Sequence, residues 1–202
     1  QNQGKGAAVL TAARYAAWRE FTHLITIDAD GQHDPADVPK FLEKIREHPM
    51  AIIVGARDLS GIHIPRSSRF GRAFSNFWIR ASCGESVEDS QSGYRAYPVK
   101  VLNKLKIRSV RYDFEIEVLV RAVWANATLE SVPISVHYDA KTRAGSHFDP
   151  WWDNVRISLA YTRLVLRNFV PWPHKKLVEN PESPQKKLSL RQFRETIRRL
   201  IR

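Results

Sequence analysis

The chain has 202 residues, a formal net charge of +11 and one cysteine, which excludes an internal disulfide framework and leaves room for one sizeable core plus an extension. It shows no secretory signal and no apolar run long enough to cross a bilayer, so we expect a reducing, cytoplasmic compartment. Residues 1–140 hold 18 Lys and Arg against 16 Asp and Glu, whereas residues 141–202 hold 14 against 5, which predicts a nearly neutral body followed by a basic extension.

The first predicted element is an Ala-rich helix that ends near Arg19, with Asn2 as a plausible N-cap. Gly4, Lys5 and Gly6 at the start of this helix could cradle a phosphate. Close packing of the first helical turn explains the two glycines nearly as well. Because no strand precedes this helix, we expect that N-terminal residues of the fold are missing from the chain.

An acidic loop follows the next element, a buried strand over His23–Ile27. Asp28 and Asp30 lie where this strand ends, which is where ligands bind in α/β sheets. An Asp-x-Asp pair also offers the oxygen ligands that Mg²⁺ and Mn²⁺ prefer. Asp34 and Pro35 then predict the N-cap and first residue of a helix. The alternative for Asp28 and Asp30 is that one or both merely cap that helix.

A helix over Pro35–Glu47 and a second buried strand over Ala51–Gly55 complete a βαβ unit. Continuous apolar strands of this kind are typical of parallel sheets with both faces covered. A helix rich in arginine and aromatic residues begins after Pro65. The alternation predicts an α/β fold with a mostly parallel sheet flanked by helices.

Four further elements are expected before the basic extension. They are a strand entered from the polar stretch Glu88–Tyr97, a short helix over Val99–Leu105, a helix from Tyr112 to Trp124, and a strand over Thr128–Tyr138. Acidic residues in the first turn of the Tyr112–Trp124 helix could do no more than complement the helix dipole.

The extension begins with a predicted helix over Trp151–Val170, on which Arg156, Arg163 and Arg167 form one stripe beside apolar residues. Such a helix fits a membrane interface, and packing against the body is the alternative. Prolines without hydrophobic periodicity then predict a linker over residues 171–188. A capping box opens a basic helix over residues 189–202.

Seven short motifs carry a resemblance that covers residues 2–147. In chain order they are Asn2-x-Gly4-Lys5-Gly6, Asp28–Pro35, Gly55-Ala56-Arg57, Ser68-Arg69, Asp89–Tyr97, Phe114–Glu117 and Arg143-x-Gly145-Ser146. Together they resemble the family 2 glycosyltransferases, and more narrowly the dolichyl-phosphate and polyprenyl-phosphate glycosyltransferases. Gln91 departs from the small residue often found at that position in the polyprenyl-phosphate branch.

The resemblance implies a GT-A fold, which is a Rossmann-like sheet that binds a nucleotide-sugar donor with Mg²⁺ or Mn²⁺. The resemblance implies a catalytic domain over residues 1–148. The residue pattern divides the rest of the chain into an amphipathic interfacial helix over 149–170, a Pro-rich linker over 171–188, and the start of a basic helical segment over 189–202. The family's first strands and base-holding turn are not present, so base recognition cannot be assigned.

The resemblance also implies roles for individual residues. The donor would be bound by Gly4, Lys5, Asp28 and Asp30, the divalent cation by Asp28, Asp30 and Gln32, and the acceptor phosphate by Arg57, Arg69, Arg143 and Ser146. The catalytic residues would be Asp89 and Glu117, which would lie at the reaction centre or organise it.

We therefore expect an inverting, metal-dependent glycosyltransferase that acts on a polyprenyl-phosphate-like lipid acceptor at the anionic inner face of a membrane, as a peripheral protein and without a nucleic-acid partner. A lipid phosphate is already ionised, so it needs cations beside it more than a base. Two alternatives stay open. One is the same fold acting on a hydroxyl acceptor with Asp89 as base, and the other is a non-catalytic nucleotide-binding remnant.

Overall fold

The computed structural model describes residues 3–58, 66–136, 152–170 and 173–179. In chain order the elements are α1 (Lys5–Trp18), β1 (His23–Thr26), a 3-10 turn (Pro35–Asp37), α2 (Val38–Glu47), β2 (Ile52–Arg57), α3 (Arg66–Cys83), β3 (Arg95–Pro98), α4 (Val99–Leu102), α5 (Phe114–Trp124), β4 (Leu129–Ile134) and α6 (Trp152–Phe169). Each helix and strand predicted in this part of the chain is present, and most are shorter than expected. The α/β class is confirmed.

The described sheet has the strand order β1-β3-β2-β4, and it is mixed. Strand β3 pairs antiparallel with both β1 and β2, and only the β2–β4 pair is parallel. Three of the four described strands, β1, β2 and β4, therefore run in the same direction, and β3 runs against them. Strands β1 and β2 do run in the same direction, as the βαβ pattern predicts, but β3 inserts between them. An apolar run encodes burial of a strand, whereas the choice of neighbouring strand is a long-range property.

Both faces of the sheet are covered, because successive side chains of a strand point to opposite sides. On β2, Ile52 and Val54 join a large core formed with α1, α3, α5 and α6. Ile53 points to the other face and packs in a smaller cluster beneath α2. In that cluster the rings of Phe41 and Tyr94 stack with centroids 4.4 Å apart.

Two glycines hold the start of α1 against the segment that leads into α5. A Cβ on Gly6 would lie 2.6 Å from the Cβ of Phe114, so the two helices cross in close contact. Gly4 has φ +98°, and a Cβ there would lie 2.5 Å from the carbonyl oxygen of Val110. Close packing therefore accounts for both glycines, and Gly4 is the residue that precedes the helix. The predicted cap Asn2 lies outside the described residues.

Helix α6 packs on α3 and α5 through one face, where Tyr161 and Leu164 are buried, and exposes another. No helix in the described part of the chain is long and apolar enough to cross a membrane. Within the predicted linker, residues 173–179 pack on the end of α5, because the backbone N–H groups of Leu177 and Val178 both donate to the carbonyl of Ala125. The predicted helix over residues 189–202 lies outside the described residues.

Candidate active site

The candidate site begins where β1 and β2 end and β3 begins. Thr26 and Val54 both stand opposite Arg95 in the sheet register, so these three strand ends share one edge. The acidic loop continues from β1 at this edge. Its last aspartate, Asp34, accepts a hydrogen bond of 2.9 Å from the N–H of Ala36, which confirms Asp34 as the cap of the following turn.

Lys5 lies between two carboxylates contributed by distant parts of the chain. Its ammonium is 2.6 Å from Oδ1 of Asp28, and it also pairs with the Glu115 carboxylate at the start of α5. Burial by itself would lower the pKa of Lys5, but attraction to Glu115 and Asp28 outweighs burial and raises that pKa above its ordinary value. Lys5 is therefore a permanent positive charge beside the acidic loop.

The backbone at Gly93 passes directly against this ion pair. A Cβ at that position would lie 2.5 Å from Oδ1 of Asp28 and would overlap the Lys5 ammonium. The hydroxyl of Thr26 donates to the Gly93 carbonyl over 2.9 Å and fixes the approach. The absence of a side chain at Gly93 is thus what lets the acidic loop and the Asp89–Tyr97 segment come together.

Asp89 is completely buried and holds Arg57 at the end of β2. The Arg57 guanidinium donates from Nε to Oδ2 over 2.5 Å and from Nη2 to Oδ1 over 2.9 Å. Weaker contacts come from the backbone N–H groups of Arg57, at 3.4 Å, and Gln91, at 3.3 Å. Both carboxylate oxygens of Asp89 therefore already accept two N–H groups each. The pairing fixes the guanidinium plane, because a bidentate fork allows little rotation.

Arg95 is a site-building residue that the sequence analysis did not single out. Its side chain is fully buried and donates to three carbonyls, those of Ser90 at 2.6 Å, Ser92 at 2.7 Å and Glu115 at 2.8 Å. A buried guanidinium must be satisfied in this way. It ties the Asp89 segment to the first turn of α5. The available signal was an arginine between aromatic residues in a strand.

His33 is the second residue that the sequence analysis left without a role. Its side chain is buried, and burial lowers the pKa of His33 below its ordinary value, so the imidazole is neutral at pH 7. Asp28 and Asp30 oppose that shift electrostatically, while Arg57 and Lys5 reinforce it. Four of the predicted site residues, which come from three separate motifs, therefore act electrostatically on this one ring.

The oxygen atoms of the acidic loop fit a cation that is coordinated partly by the protein and partly by a bound phosphate ligand. The exposed carboxylate of Asp30 accepts the N–H of Gln32 at 3.0 Å, and Asp28 precedes it in the same loop. Among the described residues, no group of three or more His, Cys, Asp or Glu is arranged to hold a metal ion. Mg²⁺ commonly takes only one or two protein carboxylates and completes its coordination with phosphate oxygens and water. The pair is compatible with that kind of site and not with an all-protein cage.

Glu117 points away from this group, toward α6. Its buried carboxylate accepts from Nε of Arg121 at 2.6 Å, from the N–H of Ser109 at 2.8 Å and from Arg163 of α6 at 2.9 Å. Burial would raise the pKa of Glu117, but the hydrogen bonds from Ser109 and Arg121 outweigh it and lower that pKa. None of its described contacts is with the Asp28–Lys5 pair. Glu117 was predicted either to lie at the reaction centre or to organise it. Its contacts favour the organising role, through α5 and α6, and that role stays a prediction.

Three predicted phosphate-binding residues are not described in side-chain detail. Arg69 lies within α3, and its side chain is outside the described part of the structure. Arg143 and Ser146 lie outside the described residues altogether. Their roles remain predictions from the resemblance.

Comparison with known proteins places the chain among relatives of the kind that the motifs indicate. The profile of the family described as "Glycosyl transferase family 2" matches residues 1–106. Over 143 residues the chain is 32% identical to a UDP-N-acetylglucosamine–dolichyl-phosphate N-acetylglucosaminyltransferase of Methanococcus voltae, covering 68% of this chain and 57% of that protein.

Two bacterial relatives are similar over almost the same length. The identity is 26% over 138 residues to an undecaprenyl-phosphate mannosyltransferase of Micrococcus luteus, and 28% over 138 residues to a polyprenol monophosphomannose synthase of Mycolicibacterium smegmatis. Each match covers 65% of this chain, and 56% and 52% of the respective relatives. The chain thus spans somewhat more than half the length of these relatives, and it belongs to glycosyl transferase family 2.

Proposed function

We propose that this chain forms the donor- and phosphate-binding core of an inverting glycosyltransferase that moves a sugar from a nucleotide-sugar to a polyprenyl-phosphate-like lipid. The observation that carries the proposal is that the Lys5–Asp28 ion pair and the Asp89-bound Arg57 lie at the same edge of the sheet, with the exposed Asp30 in the adjoining loop. Opposite charges side by side suit a site that must hold a cation and phosphates together. The names of the relatives, which include undecaprenyl phosphate and dolichyl phosphate, support the acceptor class.

On the donor side, Asp28 and Asp30, with Gln32 as a further ligand, would hold a divalent cation, Mg²⁺ or Mn²⁺. Such a cation, when bound, neutralises charge on the leaving diphosphate. Lys5 supplies a second positive charge beside the same carboxylate, and its raised pKa keeps it protonated throughout the physiological range. Because Gly93 has no side chain, its backbone lies directly against the Lys5 ammonium and the Asp28 carboxylate and limits their movement.

On the acceptor side, Arg57 would bind the lipid phosphate. An oxygen of that phosphate forms the new bond to the anomeric carbon from the face opposite the diphosphate, which departs with the electrons of the broken C–O bond, so the configuration inverts. No proton has to be removed from an ionised phosphate. Because each Asp89 oxygen already accepts two N–H groups, Asp89 is better suited to orienting Arg57 than to acting as a base. Arg69, Arg143 and Ser146 would supply further phosphate contacts.

A peripheral attachment to the anionic inner face of the membrane is part of the proposal. On α6 the exposed apolar residues Trp152, Leu159 and Leu166 are spaced by seven, so they form one stripe, and the exposed Arg156 lies beside it. Co-sedimentation with vesicles tests this: Leu159→Gln should weaken binding to phosphatidylglycerol vesicles, whereas Leu42→Gln on α2 should not. Equal effects of the two changes would remove α6 from the membrane contact.

The main test is a donor screen with the full-length protein, a polyprenyl phosphate, and either Mg²⁺ or Mn²⁺, with release of nucleoside diphosphate as the readout. Asp30→Asn should reduce turnover at least 100-fold and leave unfolding unchanged, because Asp30 is exposed. Asp34→Asn is the matched control, since Asp34 caps a turn and should change stability by at most about 1 kcal/mol while turnover is retained. Full turnover of Asp30→Asn would exclude Asp30 from the cation site.

A further inference from the structure

We infer that a second anion-binding pocket, separate from the sheet-edge site, lies at the C-terminal end of α5 and takes a phosphate-bearing anion. The cavity has a volume of about 330 Å³. Five cationic side chains line it, and no acidic residue is among its described lining. The cations are Lys104, Lys106, Arg121, Arg167 and Lys175.

The walls of this pocket are fixed by packing and hydrogen bonds. The segment 173–179 is held to α5 where Leu177 and Val178 donate to the Ala125 carbonyl over 2.8 and 3.2 Å. The indole N–H of Trp124 donates to the carbonyl of Ser82, and its ring stacks on His174 with centroids 4.2 Å apart. The cationic side chains are therefore carried on a preformed frame, which reduces the ordering that a ligand would have to impose.

The three lysines of the pocket, Lys104, Lys106 and Lys175, carry its positive charge. Arg121 is paired with Glu117, and Arg167 donates to the Val170 carbonyl. The C-terminus of α5 contributes only about half a negative charge, and the Ala125 carbonyl at this end is already hydrogen-bonded. Like charges around one concave surface repel each other when it is empty and focus the field on an incoming anion. A bound anion would relieve that repulsion.

The side chains indicate a phosphate-bearing ligand with at least two negative charges. Arginine recognises phosphate through paired N–H groups and lysine through point charge, and Trp124 with Leu105 adds an apolar wall. The cavity volume suits a diphosphate or a phosphorylated headgroup. Leu166 and Val170, 61% and 50% exposed, flank Arg167 on the same helix end. A lipid headgroup and a free phosphate compound both fit this chemistry, and the experiment separates them.

The pocket does not depend on the proposed donor site. Glu115, at the sheet-edge site, and Ala125, in the pocket wall, are ten residues apart along α5, or roughly 15 Å at the helical rise. Their ligands can therefore be measured independently.

The experiment titrates the full-length protein with inorganic pyrophosphate in EDTA by calorimetry, so that any cation-dependent site is silent. Lys104→Glu and Lys175→Glu should each weaken binding at least 10-fold. Both side chains are exposed, so the fold should persist. Arg46→Glu is the matched control, because Arg46 is exposed on α2 at the opposite face of the sheet. Asp28→Asn should also bind as the wild type does, even if it abolishes turnover.

A second arm measures binding to vesicles of phosphatidylglycerol and of phosphatidylcholine. A 10-fold loss on phosphatidylglycerol in Lys104→Glu and Lys175→Glu, but not in Arg46→Glu, identifies a lipid headgroup as the source and supports the pocket even without pyrophosphate binding. Pyrophosphate binding that is lost in the pocket variants, with unchanged vesicle binding, supports a free phosphate ligand. Pocket variants that behave like Arg46→Glu in both arms overturn the inference, as does pyrophosphate binding that is lost only in Asp28→Asn.

Discussion

Gly93 offers the sharpest test of the candidate site, because a single methyl group would disturb it from the inside. In Gly93→Ala the new Cβ would lie 2.5 Å from Oδ1 of Asp28, whereas ordinary contacts begin at 3.4 Å. The carboxylate must therefore retreat by about 1 Å, a displacement that can lower kcat/KM about 100-fold, or roughly 2.7 kcal/mol in transition-state free energy. The free energy of unfolding should fall by only about 1 kcal/mol, because Lys5 and Asp28 are partly exposed and their pair can loosen into water.

The measurement combines steady-state kinetics for the nucleotide-sugar donor with urea unfolding of the same preparations. Gly84→Ala is the matched control: Gly84 has φ +83° and directly follows α3, outside the acidic loop and the Asp89–Tyr97 segment, so the change strains the backbone without touching the site. It should cost a similar amount of stability and leave kcat/KM within threefold of the wild type. A Gly93→Ala enzyme with wild-type kcat/KM would refute the role assigned to the Asp28–Lys5 pair.

Two further predictions concern the buried carboxylates. Asp89→Asn should lower the free energy of unfolding in urea by about 3 kcal/mol, at the low end for a broken buried pair, because Arg57 is 15% exposed and can regain some hydration. Arg57→Lys should raise KM for the lipid phosphate more than it lowers kcat. An Asp89→Asn enzyme that loses turnover while Arg57→Ala keeps it would favour the base role of Asp89. Glu117, whose pKa is lowered in the folded state, should stabilise the protein fully above its ordinary value of 4.5 and lose that contribution as the pH falls below it. Glu117→Gln should therefore flatten the pH dependence of the unfolding free energy between about pH 5 and 3, and an unaltered slope would contradict the assignment.

The acidic loop could be predicted from the sequence because its signals are local. Asp34 followed by Pro35 marks a helix start through the chemistry of the first N–H groups, and the structure confirms that cap. The buried strand before Asp28 is likewise visible as a continuous apolar run. These features depend on neighbours within a few residues, so a single sequence contains the information.

The long-range features could not be predicted in the same way. Lys5 pairs with Glu115, 110 residues further along the chain, and β3 inserts between β1 and β2 although nothing in any of the three strands specifies its neighbours. Arg95 and His33 were overlooked for a related reason. Sequence gives the charge of a side chain but not its burial, and arginine and histidine are most often exposed or only partly buried.

The burial of Arg95 also explains why the site is one mechanical unit and not a set of adjacent loops. Its three hydrogen bonds join the Asp89 segment, through Ser90 and Ser92, to the carbonyl of Glu115. Glu115 in turn pairs with Lys5, which pairs with Asp28. A shift of the first turn of α5 therefore has to move the donor-side ion pair and the segment that holds Arg57 together. Because the guanidinium is fully buried, breaking any of its three hydrogen bonds leaves a charged donor unsatisfied. This free-energy penalty keeps the Lys5–Asp28 pair at a fixed position relative to the segment that holds Arg57.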